Sequence, residues 1–260
     1  MRKVNRQSGF SMVEIMVVIF VVMAVMAVVF GAIASVQKRY RTEEERVDTM
    51  QNAREFVDQI ERDLHNAGYP TASMYTSTSP NYNSVTLAWP GLVAASKTEI
   101  LFEGDLDNSG TVSSIRYQLQ ADASGKCPCT LRRSANYKNS SGGPTGQTAA
   151  YSAEVENVVN SIGGTSPWQI TGNAPNGTAN NTLYAQYKND VLFDFLDSTG
   201  ASVTVPDDLS TSGNMTSGQT AATTIRTVVV TLNVLGPNTD IDTGRRPIAA
   251  MRATVKLPNL

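Results

Sequence analysis

The chain has 260 residues, 41% hydrophobic and 17% charged, with a formal net charge of −2. That balance lacks the basic excess of a protein that grips nucleic acid. Two cysteines, Cys127 and Cys129, are too few for a disulfide-dense mini-protein, and the length fits one large domain or two small ones.

The apolar residues are unevenly spread. Residues 1–9 read MRKVNRQSG, with Arg2, Lys3 and Arg6 and no acid, a charge pattern like the n-region of an export signal. From Phe10 to Val36 the only charged residue is Glu14, and Val, Ile and Met occur on every side of a helix drawn through the run. A bilayer core takes about 20 apolar residues in helix, so this run predicts a membrane span or a helix buried all round in an assembly. It is too long for a cleavable secretory h-region, and its conspicuous small residue, Gly9, stands before the apolar run instead of after it. An uncleaved signal anchor is the plain alternative. Lys38, Arg39 and Arg41 flank the far end, so positive-inside counting decides little about orientation.

Glu14 breaks the apolar pattern. A carboxylate in a span costs about 2.5–3.5 kcal/mol at the centre and less near an end. No Lys or Arg lies in the run, so Glu14 either stays hydrated near the interface or, as the favoured reading, finds its partner in another chain or a new amino terminus.

After the span, Val47, Met50, Ala53, Val57, Ile60 and Leu64 recur every three or four residues among Arg and Glu, an amphipathic stripe. No proline interrupts residues 10–69, and Gly68 followed by Pro70 ends the helix. A helix over 10–67 would be roughly 87 Å long at 1.5 Å per residue. His65, near its end, is expected to cap or solvate that terminus and not to bind a metal.

Gly9-Phe10-Ser11-Met12-Val13-Glu14, after a basic leader and before an apolar span, resembles the type IV prepilin signal. The resemblance implies cleavage between Gly9 and Phe10 by a membrane-bound prepilin peptidase and N-methylation of Phe10. It implies that Glu14 pairs with the terminal amine of a neighbouring subunit during assembly. Residues 62–70, RDLHNAGYP, and the closing Val255-Lys256-Leu257-Pro258-Asn259 resemble the PilW-like minor pilins, with the J-type minor pseudopilins of type II secretion as near relatives. The helix-bending proline frequent in major pilins is missing, and Gly31 is the only glycine in the apolar half.

Beyond Pro70, residues 85–89, 98–102, 115–119, 191–195, 225–235 and 249–257 read as strands, and 154–159 as helix or strand. Loops rich in Gly, Ser, Thr and Asn are expected over 134–147, 163–182 and 210–223. The expected fold class is α+β: a long N-terminal helix against an antiparallel β-sheet. Its divisions are a leader over 1–9, an assembly half of the helix over 10–36, an amphipathic half over 37–69 and a β-rich periplasmic or extracellular domain over 70–260. Leader removal would leave 18 basic against 23 acidic residues, a net charge of −5, which disfavours direct nucleic-acid binding.

Chemistry-bearing motifs are sparse. Asp105, Asp107 and Ser109 before Gly110 resemble the opening of a calcium loop, but Arg116 stands where the closing Glu belongs. Asp-Asn-Ser-Gly is also what a tight turn between strands wants, and the turn is the favoured reading. Asp240 and Asp242 before Gly244 form a weaker case of the same kind. Cys127-Pro128-Cys129 leaves a local disulfide, free thiols and intermolecular bridges all open. One histidine and two cysteines are too few for a closed zinc site. No P-loop, dinucleotide fingerprint, paired-His motif or triad signature occurs. A non-enzymatic fibre subunit is therefore expected, with prepilin peptidase, other major and minor pilins, and an inner-membrane assembly platform as partners. No cofactor is expected beyond a possible calcium. The precursor would be a single-pass inner-membrane protein, and the assembled form part of an extracellular fibre.

Overall fold

A computed structural model describes residues 11–71, 74, 84–121, 127–138, 150–161, 187, 189–207, 209, 224–239 and 246–259. The chain divides into two units, one up to Glu44 and one from Glu45 onward.

Helix α1 covers Met12–His65. The Ser11 carbonyl accepts the amides of Glu14 and Ile15 at 3.0 and 3.2 Å, which starts the helical ladder. In the first unit this helix is crowded with Val and Ile, β-branched residues that weaken a helix in water. In hydrocarbon the same residues suit a helix, because no other open segment satisfies its own backbone there. The side chains agree with that environment: Met12, Phe20, Val28 and Phe30 are each at least 66% exposed. The helix is long and apolar enough to cross a membrane.

The second unit holds the remainder of α1 and an antiparallel sheet of eight strands. These are β1 (Leu92–Ala95), β2 (Glu99–Gly104), β3 (Ser113–Gln120), β4 (Cys129–Tyr137), β5 (Ser152–Val158), β6 (Phe193–Leu196), β7 (Thr227–Leu235) and β8 (Ile248–Lys256). They run in the order β1-β2-β3-β4-β5-β7-β6, with β8 paired along the whole of β7. Ala53, Phe56, Val57, Ile60 and Leu64 of α1 join Leu92, Ile100, Phe102, Ile115, Tyr117 and Leu131 of the sheet in one buried core. The α+β expectation is met: a long N-terminal helix, whose later part packs on an antiparallel sheet.

The helix stops where expected, and the structure shows why. Gly68 has φ +77°, a left-handed conformation that glycine adopts without a Cβ penalty, and its amide donates to the Glu103 carbonyl at 2.8 Å. The last turn leaves carbonyls without helical partners. Asn259 donates its side-chain amide to the His65 carbonyl at 3.2 Å and to the Ala67 carbonyl, just beyond the helix, at 3.1 Å.

Several sequence expectations change. Residues 85–89 are not a strand; they form a turn and an extended link, and the strand follows them as β1. The expected loop over 134–147 begins later, because residues 134–137 belong to β4. Residues 154–158 are strand, not helix. The buried face of α1 also starts later than the drawn stripe. The expected stripe is buried from Ala53 onward, at Ala53, Val57, Ile60 and Leu64, with Phe56 and Asp63 beside it, whereas Val47 and Met50 remain 58% and 36% exposed.

Candidate functional site

Glu14 lies in the first turn of α1, where a carboxylate complements the positive end of the helix dipole. Its side chain is exposed and shares its surface with Ile15, Val18 and Ile19. From Ser11 to Gln37 the helix contains no Lys or Arg, so it supplies no cation to Glu14. What the helix presents is a single carboxylate on an otherwise greasy rod. In a low-dielectric setting that charge is favourable only beside a cation. Gly9 and Phe10, the expected cleavage pair, lie outside the described residues, as do Asp240 and Asp242.

The other predicted residues sit in the second unit. Asp105 accepts the amides of Ser109 at 3.1 Å and Gly110 at 2.9 Å, one on each carboxylate oxygen. Asp107 accepts the Ser109 amide at 3.2 Å and the Tyr137 hydroxyl at 3.1 Å. Hydrogen bonds from Ser109 and Tyr137 hold the Asp107 carboxyl below its ordinary range. Asn108 and Gly110 both have positive φ, at 54° and 79°, as a tight turn requires. Among the described residues no group of three or more His, Cys, Asp and Glu side chains is placed to hold a metal.

Cys127 and Cys129 are joined by a disulfide across a Cα–Cα distance of 4.3 Å, and both are buried. The bridge sits where β4 begins, beside Asn160, whose carbonyl is 3.8 Å from the Cys127 sulfur. Asn160 is a junction: its amide donates to the carbonyls of Asp190, Val191 and Thr231, and its Oδ1 accepts the Asn233 amide. His65 is half exposed and lies 4.0 Å from Glu61, one turn back on the same helix.

Sequence reasoning missed two buried polar clusters. In the first, Asp63 of α1 accepts the Tyr117 hydroxyl at 2.6 Å and the Arg133 guanidinium at 2.8 and 2.9 Å. Tyr117 is also wedged between rings, edge-on to Phe56 and stacked on Phe102. Burial and the neighbouring Asp63 carboxylate push its phenol far above the usual range. In the second, Lys138 and Glu103 form a fully buried ion pair at 2.6 Å. Lys138 also donates to the Leu87 carbonyl at 3.1 Å, and Glu103 accepts the Trp89 amide at 2.9 Å. The only available sequence signals were Asp63 on the inner face of a helix and two Arg in a strand.

Residues 4–33 match the family described as the prokaryotic N-terminal methylation motif. No curated protein and no solved structure gives a match. The motif and the apolar helix together give the chain the N-terminus of a membrane-anchored, type IV pilin-like or pseudopilin-like substrate of a prepilin peptidase.

Proposed function

We propose that this chain is a minor type IV pilin, a structural subunit that helps prime or cap a fibre after cleavage between Gly9 and Phe10. The observation that carries the reading is Glu14 in the first turn of an apolar helix, inside a matched N-terminal methylation motif. Cleavage would leave Phe10 with a methylated amine, a cation four residues before Glu14. Apolar helix halves would then bundle in the fibre, and the Glu14 carboxylate would set register by meeting that amine on a neighbouring subunit. Register follows because any other alignment leaves a charge unpaired in apolar surroundings. The β-rich unit would face the periplasm and then the exterior, and the chain would act by packing, without catalysis.

The first test is the mass of the N-terminal peptide from native membranes. The expected mature terminus is N-methylated Phe10, and an intact 1–9 leader in active material would overturn the reading in favour of an anchored domain. Glu14→Ala should then leave membrane insertion normal while reducing incorporation into fibres by at least tenfold. Deletion of the gene is expected to abolish surface fibres and spare protein secretion. Lost secretion with normal fibres would instead identify a minor pseudopilin of type II secretion.

A further inference from the structure

We infer that the second unit carries a docking groove for an extended, cationic segment of a partner protein, added as a strand along the edge of β5 that no described strand covers. The groove has a volume of about 440 Å³. One wall is the α1 face Glu45, Asp48, Thr49 and Asn52, and the other is five consecutive residues of β5, Ala153–Asn157. Side chains of a strand alternate between faces, so consecutive residues along one wall mean that the strand presents its edge.

Among the described residues this edge is open for an identifiable reason. β5 and β7 pair at one position, Val158↔Val234. Just before it, Asn157 adopts φ +59°, and the β4–β5 register slips by one residue between Val155 and Val158. This is a β-bulge, and bulges bend a strand away from its neighbour. Among the described residues, Ser152–Asn157 therefore have strand partners on the β4 side alone. An unpaired edge is a template for another chain, and strand addition is a common mode of peptide recognition.

Charge says which chain fits. Glu45, Asp48, Glu154 and Glu156 line the groove, and none of the lining residues is basic. Arg246 lies at one end, but it is engaged by the Gly236 carbonyl and Asn157. Val155, Val234 and Leu235, themselves buried, form the apolar lining beneath the groove. An extended segment alternating basic and apolar residues meets all three features at once. The inference rests on residues 45–246 and is independent of N-terminal processing.

The test uses the full chain in a non-ionic detergent and two labelled nonapeptides, one alternating lysine with valine and one alternating glutamate with valine. The lysine peptide is expected to bind at least tenfold more tightly, to weaken as salt is raised, and to slow amide exchange at residues 152–156. Glu154→Lys with Glu156→Lys should lower its affinity at least tenfold with an unchanged melting temperature. If that variant does not fold, Glu154→Gln with Glu156→Gln serves, with a smaller loss. No binding, or binding without protection of the β5 amides, would overturn the proposal. So would self-association of the Gln variant without peptide, because the two glutamates would then merely guard the edge.

Discussion

Glu103 and Lys138 are both removed from water completely. Burial pushes the Glu103 carboxyl above its ordinary value of 4.5, and the hydrogen bond and charge of Lys138 pull it partly back. The folded chain thus holds this proton more tightly than the unfolded chain. The group's contribution to stability is then full below the ordinary value and is lost as pH rises through the raised one. Lys138→Met removes the pull and leaves a buried carboxylate without its cation. We expect a loss of about 3–5 kcal/mol at pH 7. The loss should shrink towards pH 4.5, where the carboxyl can protonate instead, and urea-unfolding midpoints at the two pH values will check this. Replacing both residues, Glu103→Leu with Lys138→Met, should recover much of the stability, because a well-packed apolar pair carries no desolvation penalty.

At the scale of elements, the exit of α1 is held by close backbone approach. A Cβ added at Gly104 would stand 2.4 Å from the Asn66 carbonyl oxygen, a backbone atom that cannot rotate aside. Gly104→Ala should therefore cost about 3 kcal/mol, at the upper end of what overpacking does. A melting temperature within one degree of wild type would contradict that. The elements also show what a sequence reveals. The helix was readable from Met12 to His65 because its apolar half needs no periodicity and its end carries Gly68 and Pro70. β7 was readable because a Val-rich run continues with Thr231 and Asn233 alternating with Leu232 and Val234. β1 was not: all four of its residues are buried, so no alternation marks it. β4 was hidden by Arg132 and Arg133, which read as solvated until Asp63 is seen across the core from Arg133.

For the molecule as a whole, the core begins late. Among the described residues, none before Ala53 is a buried hydrophobic, and the chain divides between Glu44 and Glu45. A chain lacking residues 1–44 is therefore expected to be soluble without detergent and to melt within about 3 °C of the full chain. A fall of more than 10 °C in calorimetry would show that the first unit contributes to the fold. The same division explains why the N-terminal processing signal was legible and much of the sheet's detail was not. The methylation motif is local, a string of residue types within 4–33. The groove and the buried ion pairs depend on residues that are distant in sequence, and their charges look like ordinary surface until the sheet brings them together.

The contact of Asp63 with Tyr117 and Arg133 has a mechanical meaning. Asp63 lies in the last turn of α1, while its two donors belong to the central strands β3 and β4. Tension along this part of the helix therefore cannot peel it from the sheet one apolar contact at a time. It must shear three short polar bonds together, and directional bonds loaded in parallel resist sliding far better than greasy contacts do. If the chain serves in a fibre, this carboxylate is one place where a pull on the helix becomes a pull on the sheet.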